Sequence, residues 1–332
     1  MDGLIRDPLG SPRPMRNAYG EALVELGRSR QDIVVLSADV QSSDFSYMFE
    51  SEFPERFVNV GIAEPALVDV AVGLANSGKV PIANTFAFLF ATRALEMVRT
   101  HLCFAGVNVK LAGAYGGLSD SFDGPTHQTI SDFAIFRSLP KMTIVVPADP
   151  LAVKKLLPQV AAWDGPVYFR LCRNEVQEVF TDKYEPKIGE GLTLIDGDDA
   201  TVIACGVMVG RAIEAAKFLA RQDIRLRVVE MHTIKPLDTE LVVRCARETG
   251  AIVTVEEHSI IGGLGGAVAE CLSGQCPVPL ERVGVNDTFA ESGPYFDLLD
   301  KYGMSVEAIV AAAQRALTRK QASSSHTTSE VK

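Results

Sequence analysis

The sequence predicts an α/β protein built from two doubly wound units, and three observations carry that prediction. Short apolar runs recur along the chain, each followed by a segment whose apolar residues have helical spacing, the pattern of parallel strands joined by helical crossovers. At 332 residues the chain is long enough for two domains that each bury a core. A polar segment, EVFTDKYEPKIGEG, with Pro186 and Gly189 in it, interrupts the alternation before it starts afresh. The expected organisation is an irregular arm over residues 1–14, one unit over 15–185, a second over 186–319, and an unstructured serine- and threonine-rich tail over 320–332.

Composition narrows the class. Hydrophobic residues at 47% and charged residues at 22% are those of a globular protein and not of a disordered one. A net charge of −10 with no Lys/Arg cluster argues against nucleic acid and against an anionic membrane surface as partners. The six cysteines, Cys103, Cys172, Cys205, Cys245, Cys271 and Cys276, sit among apolar residues without a CxxC pair. They read as buried thiols of a reducing compartment, with no metal site in this chain. No apolar signal core and no membrane-length apolar stretch is present, so a cytoplasmic location is expected.

In chain order, MRNAYGEALVELGRSR from Met15 reads as a helix and residues 32–36, DIVVL, as a buried strand. The strand runs into SADVQSSDFS, a polar loop at the end of a parallel strand where such sheets bind ligands. Asp39 and Ser43 in this loop either contact cofactor or substrate or form a solvated turn. Residues 57–60 are a short apolar run ending in Gly61, and Pro65 stands where a helix begins, a position at which its missing N–H costs nothing. Leu67, Val70, Ala71 and Leu74 continue at helical spacing to a stop at Gly78. Glu64 is therefore at a helix mouth. It either caps the positive end of the helix dipole or, as an acid among apolar groups, exchanges a proton with a ring nitrogen of a ligand.

Residues 80–86 read as the next strand, followed by FAFLFATRALEMVRTHL, a loop and then a helix. Phe86, Phe88, Leu89 and Phe90 crowd its start, as core packing or as a ring-binding wall. Strand 107–113 leads into the long glycine-rich loop AYGGLSDSFDGPTHQ, and loops of that length inside compact domains are usually functional. His127 within it is an acid/base candidate or a structural hydrogen-bonder. MTIVVPA, the helix ADPLAVKKLLPQVAAW and the strand in PVYFRLCR complete a sheet of about five strands. Arg170 and Arg173 end that strand, and Arg173 suits either an anionic group of a substrate or surface pairing. In the second unit residues 200–204, 226–230 and 251–256 read as strands and 209–220 as a helix. Gly262, Gly263, Gly265 and Gly266 precede a further helix without the spacing of a dinucleotide loop.

VGIAEPALVDVAVGLANSGKVPIANTFAFLFATRALEMVR resembles the pyrimidine-binding domain of thiamine-diphosphate enzymes of the transketolase type. MHTIKPLD and VEEHSIIGGLGGAVAE resemble the C-terminal domain of the same family. The resemblance implies that Glu64 bonds to N1′ of the cofactor's aminopyrimidine and favours its imino tautomer, which takes the proton from thiazolium C2. It implies that Phe86 lines the pyrimidine pocket, with the next aromatic of the pattern falling on Leu89 or, one residue off, on Phe90. It assigns His127 to a substrate oxygen near the reacting carbon, Asp123 to a substrate hydroxyl, and an arginine near Arg173 to a substrate phosphate. Tyr115 stands where the family has a histidine and Phe122 where it has an acid, which leaves the choice of sugar open.

In that family the diphosphate is held through a divalent metal such as Mg2+ on a GDG motif in a separate domain. No GDG occurs here; Asp196-Gly197-Asp198-Asp199 opens a strand of the second unit. The implied protein is the C-terminal subunit of a split transketolase, a transferase moving a two-carbon ketol unit from a ketose or ketose phosphate to an aldose, with sugars or sugar phosphates as substrates. A separate N-terminal subunit would hold the diphosphate and metal, in a heterotetramer of two plus two chains. The β subunit of a 2-oxoacid dehydrogenase, a synthase joining pyruvate to a triose phosphate, and a non-catalytic assembly partner with the same fold are the alternatives.

Overall fold

The computed structural model describes residues 3–329. The alternation of apolar runs and helical segments folds into two sheets. The first has seven strands in the order Thr233–Lys235, Thr143–Val145, Val167–Arg170, Lys110–Ala114, Val80–Phe86, Ile33–Ser37 and Phe57–Asn59. All neighbours are parallel except the Thr233–Lys235 edge, which is antiparallel. Ile33–Ser37 and Lys110–Ala114 are buried along their whole length, as strands covered on both faces must be. Helices Met15–Ser29 and Pro150–Ala162 cover one face through Leu23, Leu26, Leu156 and Val160. Glu64–Asn76, Ala87–Ala91 and Asp132–Ser138 cover the other through Leu67, Phe90, Phe133 and Phe136.

The second sheet has five strands in the order Leu280–Val285, Ile252–Ser259, Ala200–Ala204, Leu226–Glu230 and Leu192–Ile195, the last antiparallel to its neighbour. The sheets are not independent. Thr233–Lys235 comes from beyond the polar segment yet closes the first sheet, and its Lys235 Nζ donates to the carbonyls of Arg137 at 2.9 Å and Leu139 at 2.5 Å. The first sheet is therefore larger than the five or so strands that the sequence suggests. A three-residue strand has no period to read, and neither has the seven-residue helix Asp132–Ser138.

A buried ionic cluster lies where the two units meet. Arg170 Nε is 2.9 Å from Asp132 Oδ2, and Arg170 Nη2 donates to the carbonyl of Glu257 at 2.8 Å. Tyr168 Oη donates to Asp132 Oδ2 at 2.7 Å, while Glu257 Oε1 accepts from Leu118 N at 2.8 Å. Burial, opposed chiefly by Arg170, pushes the Glu257 carboxyl up to about 7. Arg170 is thus committed to the junction, and the base of the long glycine-rich loop is pinned by a carboxylate of the second sheet.

At the ends, Pro12–Pro14 pairs antiparallel with Glu175–Gln177, so the arm expected to be irregular carries an edge strand, where proline is tolerated. The last helix, Val306–Ser329, continues into the segment expected to be unstructured from residue 320. Lengthening a helix already formed costs far less than starting one. Residues 330–332 of that segment lie outside the described residues. Cys103, Cys172, Cys205 and Cys245 are buried free thiols, and Cys271 and Cys276 are half-buried ones. Among the described residues no helix is long and apolar enough to cross a membrane.

Candidate active site

Glu64 is the first residue of helix Glu64–Asn76 and is 1% exposed. The turn leading to it is held by side chains: Asn59 Oδ1 accepts from Gly61 N at 2.9 Å, and Asn59 Nδ2 donates to Asp39 Oδ1 at 3.0 Å. Gly61 has φ +73°, which glycine adopts without strain. Asp39 is thus exposed and props the Glu64 turn. The carboxylate of Glu64 is paired with Arg93, whose Nη1 donates to Oε1 at 3.3 Å. Oε2 is 3.1 Å from the same nitrogen but meets no donor at a hydrogen-bonding angle. Arg93 itself is 52% exposed.

A second group of residues forms one wall at the carboxyl ends of the first sheet. Phe86 ends Val80–Phe86 and stacks on Tyr115, with ring centroids 4.7 Å apart and planes 14° apart. His127 lies edge-on to Phe86 at 6.4 Å and tilted against Phe88 at 5.8 Å. Its Nδ1 is 3.0 Å from Thr126 Oγ1. Leu89 is half-buried, whereas Phe90 is wholly buried in the core beneath. Phe90 is therefore a packing residue in this chain and is not brought to the wall. Among the described residues no hydrogen bond or ion pair joins Glu64 to this group.

Tyr115 has φ +62°, uncommon for a residue with a side chain. Its hydroxyl donates to the carbonyl of Ser43 at 3.1 Å and accepts from Arg16 Nη1 at 3.2 Å, and the same Arg16 nitrogen donates to Ser43 O at 2.8 Å. Ser43 thus enters the wall through its main chain. Arg173 lies over the Tyr115 ring at 4.8 Å. Its Nη1 is 2.7 Å from Asp120 Oδ1 and 3.3 Å from Asp123 Oδ2. Burial, with Asp123 beside it and against the pull of Arg173, pushes the Asp120 carboxyl up to about 7. A hydrogen bond with Asp120 holds Asp123 below the usual carboxylate range, and Arg173 and His127 assist.

Sequence reading thus located Phe86, Tyr115, Asp123, His127 and Arg173, which the fold brings together, but it passed over Arg16 and Asp120. Arg16 had a signal: a cation in the first turn of a helix, where the dipole disfavours one. Asp120 had none, because its partner Arg173 is 53 residues away. The loop that carries Asp120, Asp123 and His127 leans on the second unit, with Gln128 Nε2 donating to Glu291 O at 3.0 Å and Gly293 N to Ser121 O at 3.2 Å. Among the described residues no group of three His, Cys, Asp or Glu side chains could hold a metal ion.

Comparison with known proteins agrees with this architecture. The family description "Transketolase, pyrimidine binding domain" matches residues 11–178, and "Transketolase, C-terminal domain" matches residues 189–309. A 6-deoxy-6-sulfo-D-fructose transketolase subunit of a Clostridium species is 40% identical over 306 residues, 92% of this chain and 95% of its own length. A subunit of the apulose-4-phosphate transketolase of Phocaeicola vulgatus is 38% identical over 299 residues, 90% of this chain and 96% of its own length. A solved structure of a split-gene transketolase, in the form of an inactive beta4 tetramer, superposes with a TM-score of 0.87 at 48% identity, covering 92% of this chain and 99% of the other.

Proposed function

The chain belongs to the transketolase family, and we propose that it is the half of a split enzyme that holds the pyrimidine ring of thiamine diphosphate together with the sugar. The near end-to-end match to chains named as transketolase subunits supports this reading over a 2-oxoacid dehydrogenase subunit or a single-chain synthase. A second chain would hold the diphosphate through Mg2+, in an assembly of two copies of each. The reaction is transfer of a two-carbon ketol unit from a ketose to an aldose.

The observation that carries the proposal is Glu64 Oε2, a carboxylate oxygen out of solvent that Arg93 Nη1 approaches to 3.1 Å without a hydrogen-bonding angle. A buried acceptor of this kind is costly to leave unmet and suits a ring nitrogen that carries a proton in its bound form. Half-buried Phe86 and Leu89 are apolar enough to border such a ring. Thiamine diphosphate, when bound, would supply a nucleophilic carbon for the donor carbonyl. Glu64 would hold the proton at N1′ in place of its pairing with the half-exposed Arg93. His127, held between Phe86 and Phe88, would give and take a proton at the substrate oxygen. Asp123, the Tyr115 hydroxyl and the Ser43 carbonyl would orient the sugar's hydroxyls.

Calorimetric titration of thiamine diphosphate with Mg2+ tests the proposal, first into this chain alone and then into its mixture with the candidate N-terminal subunit. Binding is expected in the mixture only, with ketol transfer reduced about 10²- to 10⁴-fold by Glu64→Gln. A mixture that binds no cofactor, or a Glu64→Gln complex of full activity, overturns it.

A further inference from the structure

The second unit reaches the loop of the candidate site through the end of one strand. Successive residues of a strand point to opposite faces, and at the carboxyl end of Ile252–Ser259 this alternation parts two buried carboxyl groups. Glu256 turns to its own unit and accepts from Leu264 N at 2.6 Å and Gly265 N at 2.8 Å, at the start of helix Leu264–Gln275. Glu257 turns to the first unit, where its Oε1 accepts from Leu118 N at 2.8 Å. Leu118 stands at the neck of the glycine-rich loop, which Thr129 N closes by donating to Gly117 O at 2.9 Å. The packing there is tight, since a Cβ on Gly117 would lie 2.3 Å from Glu257 Cδ. The same strand end holds the other side of the neck, with Ser259 N donating to Ile130 O at 2.8 Å. Asp123 and His127 lie within the loop so closed. Tyr115 lies outside it, next to Gly116, whose N–H donates to Leu171 O of the first unit at 2.8 Å.

Resting on the transketolase reading above, we propose that Glu257 is a positioning residue of the sugar site, which by holding Leu118 N fixes the neck of the loop and so the places of His127 and Asp123. Glu257 is 2% exposed and Leu118 is wholly buried, so removing the acceptor leaves a buried amide unmet, and the neck shifts to meet it. Such a shift carries His127 off the edge of Phe86 and Asp123 off Arg173, and a displacement of about 1 Å at reacting groups costs up to about 10²-fold in rate. The first unit also holds the loop, at Ser119, whose carbonyl accepts from Asn174 Nδ2 at 2.8 Å, and at Asp120 through Arg173. Loss of Glu257 therefore loosens the loop without releasing it. What the neck needs is an acceptor and not a charge. Burial, opposed chiefly by Arg170, leaves this carboxyl titrating at about 7, and with a proton on Oε2 its Oε1 still accepts. The second unit thereby contributes to the transfer through a residue of its own, buried behind the loop.

The test uses the full chain reconstituted with its N-terminal subunit, thiamine diphosphate and Mg2+, with the faster of fructose and fructose 6-phosphate as donor to one aldose. Glu257→Leu is expected to lower kcat/KM for the donor about 10- to 100-fold and to speed hydrogen exchange of the amides of residues 118–130 at least about tenfold, while thiamine diphosphate binds within about twofold of wild type. Glu257→Gln keeps an acceptor oxygen and is expected to restore both readouts to within about threefold of wild type. Full transfer with unmoved exchange in Glu257→Leu overturns the proposal, and so does a Glu257→Gln complex as impaired as Glu257→Leu. Cofactor affinity that falls along with kcat/KM overturns it too, because the whole junction and not the loop would then have given way. Should Glu257→Leu fail to fold, Glu257→Asp keeps a carboxyl near Arg170 but draws it back by one carbon from Leu118 N. It is expected to move both readouts the same way by about threefold or more, and readouts that stay in place are equally fatal. A wild-type complex that transfers from neither sugar counts against the transketolase reading instead, and loop exchange alone then decides the role of Glu257.

Discussion

Lys110 opens the strand Lys110–Ala114 at its amino end, away from the carboxyl ends that carry the candidate site. It is wholly buried, and its Nζ donates to the carbonyls of Trp163 at 2.5 Å and Gly165 at 2.8 Å. Burial, opposed by Asp164 and reinforced by Arg30, pushes its pKa from 10.5 down to about 7. From about pH 7 to about pH 10 the unfolded chain therefore keeps a proton on this lysine that the folded chain has lost, so stability rises with pH through that window. At about 1.4 kcal/mol per pH unit, and with the folded group half-titrated at the start, the rise between about pH 7 and about pH 9 is about 2 kcal/mol. Lys110→Met retains the length of the side chain and removes the proton. Its cost, two carbonyls left without a donor at about 1–3 kcal/mol each, is independent of pH. The stability of the wild type relative to Lys110→Met should therefore grow by about 2 kcal/mol across that range. Urea unfolding at the two pH values measures it, with Trp163, the single tryptophan, as the emission probe. Wild-type and variant stabilities that run parallel with pH would refute the account of a neutral lysine at the foot of this strand.

Two further substitutions bear on the loop. Gly117 has φ +64°, and a Cβ there would lie 2.3 Å from Glu257 Cδ, so Gly117→Ala should cost about 2–4 kcal/mol in urea unfolding; an unchanged midpoint would mean that the loop and the buried cluster are not locked together. Tyr115→Phe keeps the stack on Phe86 but removes the hydroxyl shared with Arg16 and Ser43, so KM for the sugar should rise about fivefold while thiamine diphosphate binds as before, and an unchanged KM would remove the hydroxyl from sugar binding.

What could be read from the sequence was whatever local pattern determines. Val80–Phe86 is found at the expected residues because a short run opening on Val80, Pro81 and Ile82 between a glycine stop and an aromatic loop has few other fates. Pro65 placed the start of Glu64–Asn76 for a local reason as well. The side-chain chemistry was legible only as residue types. Nothing near Glu64 in sequence announces Arg93, 29 residues on, and the choice between a cap and a functional acid depends on that contact. Ser43 could be read only as a contact or a turn residue, and it is its carbonyl that bonds to Arg16 and Tyr115. Arg170 and Arg173 look alike in PVYFRLCR, but one is buried between the two units and the other is held in the candidate site. Such assignments rest on pairings across the fold, which periodicity does not encode.

The edge strand Thr233–Lys235 has a consequence for the order in which the protein can be made. When residue 185 has left the ribosome, every helix and strand of the first unit has been synthesised except this one, and Thr143–Val145 still presents an open row of backbone donors and acceptors. The missing strand is translated only after Leu226–Glu230 of the second sheet. The nascent chain must therefore keep that edge from pairing with a neighbour on the same polysome until the second half has begun to fold. Cutting the chain at its polar segment would expose the same edge permanently, so the seam visible in the sequence is not a place where the protein can be divided into two soluble pieces.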